Sequence, residues 1–404
     1  MNKRLLSAFI STAVIAASIF LTQATTVKAE TINFNSTAME VANDMGAGWN
    51  LGNALDAYDS TGGNEQAWGN PIITEDFIAT VKQAGFRTVR IPVTYMNHIG
   101  PAPEYQIDTN WLNRVNEVVN YVIDNDMYAV IDIHADANHD ISNGAWLLVD
   151  SDNQTEIKAK FQKAWEQIAD RFKTYDSRVI FESMNEIREN GNYSAPAYEE
   201  TYSRINEYNQ IFVDTIRSSG GQNDKRFLIV PGYNTNIDYT AGNYGFQLPM
   251  DTASNKLMVS VHYYDPYDFC LNEDNDAVYG WGQSAVDSND GAVSWHVESN
   301  VQASMQLLQN KFTSKGIPVF VGEYGAADKS FAHAENEDYR RYFYEYVCKA
   351  IKDIGGVPCC WDNGWTGNYG FAIFNRTTNT VIHQDLVDAI MRATSGNNYS
   401  IQQP

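Results

Sequence analysis

A (β/α)8 TIM barrel forming a single domain is the fold predicted for this 404-residue chain. Three observations predict it. Eight short, β-rich apolar runs alternate with longer segments of helical periodicity. None of those runs leads into a glycine-rich nucleotide fingerprint, which would favour an open doubly wound sheet. The length suits one elaborated barrel, with no Pro/Thr/Ser-rich linker, internal repeat or low-complexity tract to divide it.

In chain order, the predicted strands are Ala47–Leu51, Thr88–Val93, Tyr128–His134, Val179–Glu186, Phe227–Pro231, Leu257–Tyr264, Pro318–Tyr324 and Val357–Asp362. Each is an apolar or β-branched run bounded by polar or turn-forming residues. Helices are predicted over Trp111–Asp124, Glu156–Phe172, Tyr198–Ser218, Val301–Ser314 and Asp338–Asp353. In the second of these, Phe161, Trp165, Ile168 and Phe172 recur on one helical face, as burial against a sheet requires.

The ends of the chain have a different character. Lys3 and Arg4 precede the uncharged run Leu5–Leu21, and Val27-Lys28-Ala29 offers a small residue before Glu30. Residues 1–29 therefore read as a secretory signal peptide, too short in its apolar run for a membrane span, and the protein is expected to be secreted and extracellular. The barrel domain is assigned to residues 30–394 and a polar, fraying tail to 395–404. The net charge of −22 becomes about −25 once Lys3, Arg4 and Lys28 are removed. That excess of negative charge argues against nucleic acid and anionic membrane surfaces as partners, and leaves a neutral polymer unaffected. Four cysteines, Cys270, Cys348, Cys359 and Cys360, are too few to scaffold the fold; the adjacent pair would point to opposite faces of a strand.

In a barrel of this type the C-terminal ends of the strands converge on one face. Arg90 lies in the second strand, His134 ends the third, Asn185 and Glu186 end the fourth, His262 and Tyr264 end the sixth, Glu323 lies near the end of the seventh, and Trp361 ends the eighth. Asn53 closes the first. Two glutamates on strands four and seven face each other across the mouth, as hydrolysis of a glycosidic bond requires: one protonates the leaving oxygen and the other attacks the anomeric carbon. Arg90 and His262 would favour the carboxylate form of Glu323, while Glu186 would need a less compensated site to hold a proton.

Six motifs carry a family resemblance: Ile-Pro-Val after Arg90, Ile-Asp-Ile-His134, Phe-Glu-Ser-Met-Asn185-Glu186, Val-His262-Tyr-Tyr264, Val-Gly-Glu323-Tyr-Gly and Trp361-Asp-Asn-Gly. Together, and in this order, they resemble glycoside hydrolase family 5. The resemblance implies a retaining mechanism with Glu186 as general acid/base and Glu323 as nucleophile, with no cofactor and no metal. It also implies substrate-binding roles for Arg90, His134, Asn185, His262, Tyr264 and Trp361: Asn185 at the sugar 2-hydroxyl, Tyr264 at the nucleophile, Trp361 as the floor of the cleaved sugar's subsite. Gly48–Asp56, Ala67–Pro71 and Tyr263–Phe269 are similar to the subfamily of endo-β-1,4-glucanases with lichenan- and xyloglucan-active members, which implies a β-glucan polysaccharide substrate. Many of these relatives have a second histidine where this chain has Ala135; His139 or Asp136 is the expected substitute.

The stretch from Asp265 to Val297 is expected to wall the cleft, and Trp68, Trp146, Trp281 and Trp295 are candidate sugar-stacking platforms or packed loop residues. The His134, Asp136, His139 and Asp140 cluster has the residue types of a metal site but no second set of ligands. A mannan- or xylan-active enzyme with the same catalytic pair is the nearest alternative reading, and a non-catalytic carbohydrate-binding barrel is another. A monomer without a dockerin or carbohydrate-binding module is expected.

Overall fold

The computed structural model describes residues 32–397 and 399–404; the segment 1–29 read as a signal peptide lies outside the described residues. Eight parallel strands close into a barrel in chain order: Gly48–Asn50, Thr88–Ile91, Tyr128–Ile131, Val179–Glu182, Leu228–Pro231, Leu257–Tyr263, Val319–Tyr324 and Val357–Cys360. The first pairs with both the second and the eighth, which removes every free edge. A helix follows each strand, in order Glu75–Gln83, Thr109–Asp124, Gln154–Phe172, Glu199–Ser218, Ile237–Ala241, Glu298–Lys311, Asn336–Asp353 and Gln384–Thr394. This is the (β/α)8 arrangement that the alternating sequence pattern predicts.

Burial explains why these segments take these forms. Every residue of the eight strands is buried, because alternate side chains face either the barrel interior or the helices. Between sheet and helices, Gln154–Phe172 contributes Ile157, Phe161, Ala164, Trp165, Ile168, Ala169 and Phe172 along one face. Each large apolar side chain so buried contributes about 1.5–3 kcal/mol. Trp165 packs at 4.6 Å against Phe212 of the next helix and at 5.6 Å against Phe181 of the fourth strand.

Inside the barrel the lower part is apolar, built from Val130, Ile180, Ile229, Met258, Phe320 and Cys359. Its bottom is covered by the helix Ala38–Asp44, which begins with a Thr37–Glu40 capping box, and by Phe34 stacked on Phe227. Cys359 joins this interior cluster while Cys360 joins the one under the helices; all four cysteines are free and buried. The tail expected to fray instead packs Ile401 against the core and sets Gln403 Nε2 3.4 Å from the Tyr342 hydroxyl.

The strands end earlier than their apolar runs suggest. His134, Asn185, Glu186, Tyr264, Trp361 and Asn53 all lie on the chain just past a strand rather than closing one. The pairing between the sixth and seventh strands also shifts there: Val261 faces Val321 but His262 faces Glu323, so Gly322 is the extra residue of a bulge. A Cβ on Gly322 would sit 3.2 Å from His262 Nε2, so glycine permits the approach that aims Glu323 into the mouth.

Candidate active site

The site is organised around one wholly buried guanidinium. Arg90 spends all five of its N–H donors on five acceptors: Nε on Glu182 Oε2 at 2.6 Å, Nη1 on Asn50 Oδ1 at 3.1 Å and Glu323 Oε1 at 2.9 Å, Nη2 on Asp132 Oδ2 and Asn185 Oδ1, each at 2.8 Å. Burial alone would push this guanidinium down, but the charges of Glu182, Asp132 and Glu323 hold it well above its ordinary value. Asn50 is itself fixed, donating from Nδ2 to Gly322 O at 2.7 Å on the bulge beside Glu323.

Glu323 receives a second hydrogen bond on its other oxygen, from the Tyr264 hydroxyl at 2.9 Å. His262 Nδ1 lies 2.9 Å from Glu186 Oε1 and 3.6 Å from Glu323 Oε2, between the two acids. One oxygen of each acid and a ring nitrogen of His262 fall within 4.8 Å of one another. Glu186 has a positive φ of 38°, a conformation costly for a residue with a Cβ, and the turn it makes brings its carboxylate over the mouth. Burial raises the Glu186 carboxyl, yet the hydrogen bond and charge of His262 more than offset this and bring it down to about 2. The less compensated surroundings expected for Glu186 are therefore not found, because His262 lies closer to Glu186 than to Glu323.

Glu186 stands at the junction of two cavities that together make one cleft. On one side the walls include Asn53, Tyr58, Trp68, His134, Asn185 and Trp361. Trp361 lies nearly parallel to His134 and against Gly52, where a Cβ would meet its ring at 2.5 Å. Asn53, at φ 55°, is pinned by its backbone N–H to Asp56 Oδ2 at 3.0 Å. His134 gives Nδ1–H to Asp132 at 2.9 Å; burial opposes a charged ring, but Asp132 raises it to about 9. On the other side, Tyr193, Asn234, His262, Tyr264, Asp265 and Tyr267 line the wider cavity. All nine site residues singled out in the sequence thus surround one mouth.

Several neighbouring expectations fail for local reasons. Ala135 does face the cleft, but neither proposed substitute for a second histidine reaches it. Asp136 is buried, accepting from Tyr95 N at 2.9 Å and Trp146 Nε1 at 2.6 Å, and burial raises its carboxyl to about 6. His139 binds Arg188 O at 2.8 Å. Asp140 is occupied by Tyr58, Ser142 and Asn143, so the His/Asp cluster is dispersed among structural hydrogen bonds. Of the four tryptophans, Trp68 lines the cleft, Trp146 and Trp281 are buried, and Trp295 is exposed without lining either cavity.

Sequence reasoning missed Asp132, Glu182, Asn50 and Ser260, the buried partners of the catalytic groups. For Asp132 a signal existed: two residues before His134 in an extended run, it faces the same way. Arg188 and Tyr193, stacked at 4.5 Å beside Glu186, sit on an irregular loop with no periodic pattern to mark them.

The family description "Cellulase (glycosyl hydrolase family 5)" matches residues 52–367. Endoglucanase A of Paenibacillus barcinonensis is 46% identical over 366 residues, covering 88% of this chain and 90% of that protein. Among solved structures, a family 5 xyloglucanase from Paenibacillus pabuli, in complex with ligand, has a TM-score of 0.85 at 45% identity and covers 88% of this chain and 99% of its own. A GH5-4 broad specificity endoglucanase from Bacteroides salanitronis has a TM-score of 0.83 at 38% identity, over 91% and 99% of the two chains. With its barrel, its paired glutamates and a family match across most of its length, this chain belongs to the glycosyl hydrolase family 5 cellulases.

Proposed function

We propose that the protein is a secreted, monomeric endo-β-1,4-glucanase that cleaves internal bonds of β-glucans, xyloglucan among them, by double displacement. The observation that carries the mechanism is the close approach of Glu186 and Glu323, which share His262 Nδ1 at 2.9 and 3.6 Å and bring an oxygen of each within 4.8 Å, leaving little room between them for a water and a sugar carbon. A retaining pair stands about 5–5.5 Å apart, whereas an inverting pair needs roughly 6.5–9.5 Å to admit water. The endo mode is supported by a cleft that continues on both sides of Glu186, and the substrate by the endoglucanase and xyloglucanase among its relatives.

Glu323 attacks the anomeric carbon as Glu186 protonates the departing oxygen; Glu186 then takes a proton from the water that releases the sugar from Glu323. Arg90 and Tyr264 hold the two oxygens of Glu323, fixing the direction of attack. Asn185, its carbonyl oxygen held by Arg90 and its Nδ2 set 3.4 Å from His134 Nε2, presents its amide N–H edge to the sugar 2-hydroxyl. Sugar filling the cleft removes water from Glu186 and raises the cost of its charge, which favours the protonated acid that the first step needs. His134 and Trp361 line the subsite on the side of the cleaved sugar.

Reducing-sugar release from carboxymethylcellulose, mixed-linkage glucan, xyloglucan, mannan and xylan tests substrate and activity together. The three glucans should be cleaved fastest; a preference for mannan or xylan would contradict the assignment. Export is tested by N-terminal sequencing of the protein from culture medium, which should begin at Glu30.

A further inference from the structure

Glu182 takes no part in the steps above, yet its carboxylate is completely buried within the barrel, where an acid persists only if its charge is answered. Oε2 accepts Nε of Arg90 at 2.6 Å, the shortest of that residue's five bonds. Oε1 accepts the Ser260 hydroxyl at 2.6 Å. Asp132 takes a second edge of Arg90. One positive charge is therefore divided among three carboxylates, and Glu323 holds a single one of the five donors. An acid paired alone with a buried guanidinium is stabilised as an anion and attacks carbon poorly; dividing the guanidinium relieves that penalty.

We propose that Glu182 is a positioning residue that tunes the nucleophile: by drawing on Arg90 it limits how strongly Arg90 stabilises the Glu323 carboxylate, which sets the balance between forming and breaking the sugar–Glu323 bond. This rests on the reading of Glu323 as nucleophile. The two half-reactions should respond in opposite directions. In the first, the Glu323 carboxylate is consumed as its oxygen bonds to the anomeric carbon and the leaving oxygen departs with a proton from Glu186. In the second, water replaces Glu323, and the carboxylate is regenerated next to Arg90. A stronger Arg90–Glu323 pair slows the first and speeds the second. A merely structural role for Glu182 would slow both.

The test compares wild type with Glu182→Gln on cello-oligosaccharides and on dinitrophenyl β-cellobioside, whose activated leaving group makes release from the enzyme limiting. The variant should lose about 10-fold in kcat/KM on the oligosaccharides and gain about two-fold in kcat on the activated substrate. Ser260→Ala, which leaves Glu182 leaning wholly on Arg90, should shift both quantities about two-fold the opposite way and serves alone if Glu182→Gln does not fold. Parallel losses in both half-reactions, or no change in either, would overturn the proposal. Wild type is also labelled with a 2-deoxy-2-fluoro cellobioside and its peptides mapped. A label anywhere but Glu323 would overturn the nucleophile assignment and this proposal with it; a label on Glu323 with parallel losses would overturn this proposal alone.

Discussion

The barrel interior has two parts of nearly opposite chemistry within the same eight strands. Below, Val130, Ile180, Ile229, Met258, Phe320 and Cys359 fill the space by volume alone. Above, Asn50, Arg90, Asp132, Glu182 and Ser260 are equally buried but bound by directional hydrogen bonds and charge. The apolar part has many acceptable solutions, since a volume-conserving swap leaves its neighbours satisfied. The polar part has few, because each change strands a buried partner. Tolerance to substitution therefore differs along the barrel axis, with catalysis confined to the less tolerant end, and the size of that difference can be measured.

The largest effects should come from the acids at the top. Glu186→Gln should reduce turnover of unactivated glucan about 100-fold to 10,000-fold, and Glu323→Gln at least as much, with thermal unfolding little changed. Near-wild-type rates in either would dissolve the distinction. Arg90→Met comes next: it leaves Asp132, Glu182 and Glu323 without their shared cation and should cost about 3–5 kcal/mol in denaturant unfolding, besides abolishing activity. Loss of activity without loss of stability would show that the upper cluster supports chemistry alone.

A smaller effect belongs to His134, whose pKa of about 9 in the folded chain stands above an ordinary value near 6.5. Its contribution to stability is complete below about pH 6.5 and is lost as pH rises through 9. The unfolding midpoint should fall between those limits in wild type and fall less in His134→Gln; equal slopes would refute the coupling to Asp132. The smallest effect should come from below. Met258→Leu should cost less than about 1.5 kcal/mol and leave kcat/KM on mixed-linkage glucan unchanged.

The same contrast explains what the sequence made legible. Apolar runs and helical spacing are statements about burial, so all eight strands and five of the eight helices that follow them could be read from them. The polar residues at the strand ends could be read as well, because barrel topology gathers them at one face. Backbone conformation could not: Asn53 and Glu186 adopt positive φ without being glycine, a choice that tertiary contacts impose and no local pattern announces. Nor could partner choice. Glu182 is four residues before Glu186, yet one is a buried counter-ion and the other lies in the cleft, because the fourth strand ends between them. Tryptophan offers a third case: Trp68 lines the cleft and Trp281 donates to His296 O within its own loop, a difference decided by how each loop folds back.

The arrangement of Glu186 and Glu323 is tested most directly by following hydrolysis of a cello-oligosaccharide by 1H NMR from the first turnovers. The β-anomer should appear first and the α-anomer only later, by mutarotation, as two successive displacements require. Initial release of the α-anomer would contradict a nucleophilic Glu323, whatever the distance between the two acids.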